Sequence, residues 1–143
     1  MVYLDSNVFI YAIAYDASRV KEASKAKEII VDMGRGRRRY VSSLITWDEV
    51  VWVVWRLFGY EAAVKAGQAM LNLEGLEYIE LSDAEVIKAQ ELVDKYGLKP
   101  RNALHAATAI TSGETVIVSD DEELDVVKEL RRVHLASYGK DLS

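Results

Sequence analysis

Met1-Val2-Tyr3-Leu4-Asp5-Ser6-Asn7-Val8-Phe9-Ile10-Tyr11 is the stretch that decides how this chain is read. Three apolar residues run straight into Asp5, two small polar residues follow, and an apolar run resumes. That order predicts a short buried strand ending at Asp5. A helix over residues 7–15 follows, with Ser6 as its N-cap. In an open α/β sheet, ligands bind outside the carboxyl ends of the strands. An acid at that point is placed for chemistry rather than packing, and acids that end other strands or open other helices are its candidate partners.

At 143 residues the chain is long enough for one sizeable core, and a single domain over 1–143 is expected, with 137–143 a frayed tail. Hydrophobic residues make up 50% of it, which excludes a disordered chain. The apolar runs are too short to span a bilayer. No basic segment precedes an apolar one at the N-terminus, so neither a membrane span nor a signal peptide is expected. Cysteine is absent, which excludes disulfides and thiolate metal sites and fits a cytoplasmic protein. One proline, with few Asn and Gln beside many Lys, Arg and Glu, leans toward a thermophile. The formal net charge is -5, whereas a protein that grips nucleic acid by bulk charge is usually basic. A nucleic-acid role must therefore be local, through a basic patch or a metal that neutralises acids.

Residues 18–33 form an amphipathic helix, with Val20, Ala23, Ala26 and Ile30 on one face. Gly34 and Gly36 end it, and Arg35, Arg37, Arg38 and Arg39 follow in one loop. That loop is either a solvated cap beside a helix C-terminus or a patch whose Arg37 and Arg38 contact RNA phosphates. A second strand is expected at 40–42, and Thr46 caps a helix over 47–58. That helix is apolar nearly all round. It is either core on several sides or, in so small a domain, an interface with another chain. Further helices are expected at 60–73, from the Ser82-Asp83-Ala84-Glu85 capping box to Tyr96, and from Pro100 onward. Residues 76–81 read as a strand nearer the edge, 114–118 as a central strand, and 133–135 as a last edge strand. A short helix after the acidic run Asp120 to Asp125 leads to Leu130. Strands alternating with helices predict a three-layer α/β fold, with a mostly parallel sheet of four to five strands.

Two apolar strands end in acids, at Asp5 and at Asp120 and Asp121. In a parallel sheet these carboxylates emerge on one edge. Glu49 and Asn102 lie in the first turns of helices. For any single one of these residues capping is an equal reading, and only their joint placement points to chemistry. Clustered carboxylates repel unless a positive charge sits among them, and hard divalent cations with oxygen ligands, Mg²⁺ or Mn²⁺, answer that need. Such an ion activates water and offsets the charge of a phosphodiester transition state. His105 and His134 are far apart and not spaced for zinc. His105, alone in a helix of small residues, reads as a structural histidine.

These residues make the chain resemble PIN-domain proteins, in particular the VapC-type ribonuclease toxins, over nearly its whole length. Leu4-Asp5-Ser6-Asn7 matches the opening motif and Asp48-Glu49-Val50 the second. Pro100-Arg101-Asn102-Ala103-Leu104-His105 matches the third, and Val118-Ser119-Asp120-Asp121 the fourth. The resemblance implies a Mg²⁺- or Mn²⁺-dependent endoribonuclease held by Asp5, Glu49, Asn102 and Asp121, with Asp5, Glu49 and Asp121 catalytic. It implies hydrogen-bonding support from Asn7 and Ser119, and a supporting water held by Asp125, with Asp120 as a further candidate. It also implies a homodimer and a small VapB-like antitoxin partner. A phosphate contact by Arg101 is a reading of the sequence itself.

The third motif departs from the family, which usually has Asp where Asn102 stands. An amide oxygen ligates a hard cation but brings no charge. The alternative reading is therefore a catalytically weakened PIN-like module that binds RNA or a partner protein. A covalent aspartyl-phosphate mechanism on Asp5 is disfavoured, because Asn7 stands where such enzymes need a second acid.

Overall fold

Val2, Tyr3 and Leu4 are buried on both faces of a strand, as a parallel sheet covered on two sides requires. In the computed structural model, which describes residues 1–139, they form β1 (Val2–Leu4). The chain continues through α1 (Ser6–Ala14), α2 (Lys21–Gly34), β2 (Tyr40–Ser43), α3 (Ile45–Phe58), α4 (Tyr60–Leu71) and β3 (Leu76–Ile79). Then come α5 (Asp83–Tyr96), α6 (Pro100–Thr111), β4 (Val116–Val118) and β5 (Arg131–Val133). Short 3-10 helices at Glu122–Val126 and Leu135–Ser137 flank β5.

The five strands pair in the order β3-β2-β1-β4-β5, all parallel. Side chains alternate across the sheet. Val2, Leu4, Tyr40 and Val118 face a core built with Val8, Phe9, Ile29, Val50 and Met70 of α1 to α4. Tyr3, Val41 and Ile117 face the other core, with Ala89 and Leu92 of α5 and Ala103, Ala106 and Ala107 of α6. The alanines let α6 lie close to the sheet. Because β2 pairs with one side of β1 and β4 with the other, the strand order reverses between β1 and β4. That switch point is where open α/β sheets bind ligands.

Local boundaries differ from expectation for physical reasons. α1 begins at Ser6, because the Asp5 carboxylate accepts the Ser6 N–H at 2.7 Å and is itself the cap. Thr46 does not cap α3. Its hydroxyl is buried against Ser42 at 2.7 Å, and the helix starts at Ile45. The acidic run forms one 3-10 turn rather than a helix reaching Leu130, since like charges one turn apart disfavour an α-helix. β4 is shorter than expected. β5 begins two residues earlier than expected, where Arg131 aligns with Val116. The Ser82–Glu85 capping box opens α5 as expected.

Of the tail expected to fray, residues 137–139 are described and lie against the fold. Tyr138 is buried, and its hydroxyl meets that of Tyr40, which donates to Asp32 at 2.6 Å. Residues 140–143 lie outside the described residues. Among the described residues no helix is long and apolar enough to cross a membrane. α3 buries Val50 and Val54 but leaves Trp47, Trp52, Trp55, Leu57 and Phe58 exposed. Tyr60, at the start of α4, continues that apolar face.

Gly75 makes the close turn into β3. Its φ is +83°, and a Cβ there would overlap the Met33 carbonyl oxygen. Gly75→Ala is expected to cost about 3 kcal/mol, combining left-handed strain with overpacking. Thermal unfolding checks this, and an unchanged midpoint would contradict the packing of α2 against this turn.

Candidate active site

Asp5 leaves β1 at the switch point and is 3% exposed. Both of its carboxylate oxygens are held by hydrogen bonds. Oδ1 accepts the Ser6 N–H at 2.7 Å, with the Ser6 hydroxyl at 3.3 Å. Oδ2 accepts the Ser119 hydroxyl at 2.7 Å and the Asn7 amide at 3.1 Å. The Ser119 oxygen in turn accepts from the Asn7 amide and from the Asp121 N–H, both at 3.0 Å. Ser119 therefore ties the end of β4 to the end of β1, and Asn7 braces both.

Glu49, in the first turns of α3, reaches the same place. Its Oε2 lies 3.2 Å from the Ser6 hydroxyl, and its Oε1 2.5 Å from His105 Nε2. The same Nε2 lies 3.4 Å from Asp5 Oδ1. Burial opposes charge on the imidazole, but Asp5 and the hydrogen bond to Glu49 outweigh it and raise the His105 pKa above the usual histidine value. His105 thus belongs to the acid cluster. Sequence reasoning misses this because its partners lie 56 and 100 residues away; the available signal is its position one turn after Asn102.

Asp121 and Asn102 meet on the other side. The Asn102 amide donates to Asp121 Oδ2 at 2.8 Å and to Glu123 Oε2 at 2.9 Å. Sequence reasoning misses Glu123 too. Its Oε1 accepts the Lys99 N–H at 2.7 Å at the start of α6, and its own N–H donates to Asp121 Oδ1 at 3.0 Å. Lys99, Pro100, Arg101, Asn102 and Asp121 line a cavity of about 450 Å³, which places Arg101 beside the acids.

Other expected residues are placed elsewhere. Asp125 pairs with Arg132 at 2.7 Å, which holds its carboxyl below the usual range. Arg132 also donates to the Ser119 carbonyl at 3.1 Å, so Asp125 reaches the site through the backbone. Asp120 hydrogen-bonds Tyr11 and raises its phenol pKa. The arginine loop enters β2, so it lies at the amino edge of the parallel sheet, opposite the acids. There Arg38 faces the Tyr138 hydroxyl and Arg39 pairs with Glu77. Arg37 and Arg38 thus stand at the opposite edge from the acids.

The carboxylates and the Asn102 amide offer oxygen donors, which suit a hard divalent cation by their chemistry. Among the described residues, however, no group of three or more His, Cys, Asp or Glu side chains is gathered as a metal ion would need. The acids are instead joined in pairs, Asp5 and Glu49 through His105 and Ser6, Asp121 and Glu123 through Asn102.

The five-stranded parallel sheet covered by helices on both faces places the chain in the α/β class. Within that class the chain belongs to the PIN domain family, whose profile matches residues 2–130. Comparison with curated proteins gives no match. Among solved structures, the VapBC2 complex of Rickettsia felis, bound to a DNA fragment from its promoter, is similar at 20% identity and TM-score 0.67, over 93% of this chain and 98% of that one. A toxin–antitoxin complex from Klebsiella pneumoniae is similar at 18% identity and TM-score 0.68, over 94% and 98%. Mycobacterium tuberculosis VapC20, described as a Sarcin-Ricin loop cleaving toxin, is similar at 16% identity and TM-score 0.68, over 92% and 99%. At these identities the likeness is one of fold.

Proposed function

We propose that this protein is a metal-dependent endoribonuclease, acting as a single PIN domain and as the toxin of a VapBC-type pair. The observation that carries the reading is the place of Asp5 at the switch point of a PIN fold, with Glu49 joined to it through Ser6 and the backbone of Asp121 through Ser119. Asp5, Glu49, Asp121 and the Asn102 amide oxygen would hold Mg²⁺ or Mn²⁺. When bound, the ion would activate a water and offset charge on the phosphodiester. The chain's own residues prepare for this. Ser119 and Asn7 hold Asp5 in one orientation, and Arg101 offers a guanidinium to a phosphate of the RNA. A VapB-like antitoxin and a second copy of the chain are the proposed protein partners, and the exposed apolar face of α3 and α4 is suited to either. The cytoplasm is the proposed setting.

One observation favours a second reading, a weakened PIN-like module that binds RNA without cutting it. The Asn102 amide donates to two carboxylates, and an amide at this position brings no charge to a cation. Purified protein incubated with a single-stranded RNA decides between the two. The nuclease reading expects internal cleavage with Mg²⁺ or Mn²⁺, abolished by a chelator and restored by excess metal. RNA retained but uncut at every metal concentration would establish the second reading instead.

A further inference from the structure

His105 is 1% exposed in a helix whose neighbouring buried residues are mostly alanine. Burying an imidazole costs free energy unless its polar atoms are paired, and here both nitrogens are. Nδ1 lies 2.7 Å from the Tyr3 hydroxyl, and Nε2 lies 2.5 Å from Glu49 Oε1. An ionised carboxylate has no hydrogen to give, so Nε2 is the donor to Glu49. The Tyr3 ring packs edge-on to the imidazole, with centroids 5.8 Å apart. A buried relay therefore runs from the α6 face of β1, through His105, to the first turns of α3. Among the described residues Glu49 has one other side-chain hydrogen-bond partner, the Ser6 hydroxyl at 3.2 Å.

We propose that His105 is a positioning residue for the metal site: it holds the Glu49 carboxylate toward Asp5, and Tyr3 fixes the orientation of its ring. The proposal rests on the metal-dependent reading above. Residues that orient metal ligands without touching the metal commonly change affinity by about 10–100-fold when removed.

The test is Mn²⁺ binding by calorimetry on the purified full chain, with thermal unfolding measured alongside. The amide of a glutamine reaches the place of Nε2, whereas that of an asparagine reaches only the place of Nδ1. His105→Gln is expected to stay within about threefold of the parent, and His105→Asn to weaken binding by about 10–100-fold. In a Glu49→Gln background, His105→Asn should add no further loss. Parent-like Mn²⁺ affinity in a folded His105→Asn protein would overturn the proposal, and so would equal losses in both variants, because packing alone would then explain them. If neither variant folds, Tyr3→Phe carries the test. A severalfold loss of Mn²⁺ affinity is expected there, and no loss refutes the relay. A parent protein that binds no Mn²⁺ overturns the metal reading itself, and this proposal with it.

Discussion

Asp5→Asn is expected to lower metal-dependent RNA cleavage by on the order of a thousandfold while leaving the chain folded. The substitution keeps an oxygen to accept the Ser6 N–H, so α1 keeps its cap. It removes one unit of negative charge from a buried position. Two unit charges about 4 Å apart at an effective dielectric of about 20 interact by roughly 4 kcal/mol, an upper guide to that loss. A barrier change of that size is about three powers of ten in rate. The new amide also faces donors, since Ser119 and Asn7 both give hydrogens to Asp5 Oδ2. Both bonds must be lost or reversed, at a stability cost of about 1–3 kcal/mol for each that is lost. Single-turnover cleavage of a labelled RNA measures the first effect and thermal unfolding the second. Cleavage at the parent rate would remove the proposed mechanism.

Asn102→Asp is expected to act with opposite signs in the absence and presence of metal. Without metal, the change deletes the amide that joins Asp121 and Glu123. It also sets a third carboxylate between them. At about 2 kcal/mol of added repulsion, well under the guide above, the unfolding midpoint falls by roughly 4–8 °C. With Mn²⁺ present the same charge becomes a ligand, and affinity rises by at least about tenfold, with faster cleavage accompanying it. Calorimetry and unfolding in chelator and in Mn²⁺ read both signs. A flat result in both conditions would place residue 102 outside the metal site. This pair of effects also bears on the non-cutting alternative, because a silent parent that gains cleavage on Asn102→Asp is a nuclease lacking one charge.

Most of the architecture is legible in the residue order alone. Val2 to Leu4 has to be a strand buried on both faces, because apolar side chains fill both positions of its alternation. The capping box at Ser82 and the proline at 100 mark two helix starts by local chemistry. Thr46 misleads because a hydroxyl near a helix start looks like a cap in sequence. Whether it caps or pairs with a buried Ser42 depends on how β2 lies beneath α3. The arginine loop stands apart from the acids for a topological reason. In a parallel sheet the loops that enter strands and those that leave them lie at opposite edges, so Arg37 and Arg38 precede β2 at one edge and Asp5 follows β1 at the other.

The sequence by itself determined the fold family and which acids end strands or open helices. Strand ends, helix first turns and charge are local properties that a residue order carries directly. Only the tertiary structure decided how those acids are held. It put His105 between Asp5 and Glu49, and Asn102 between Asp121 and Glu123. The physical reason is that such hydrogen bonds have ångström tolerances. They join side chains from separate elements whose spacing is set by packing on both faces of the sheet, and no local pattern encodes that spacing.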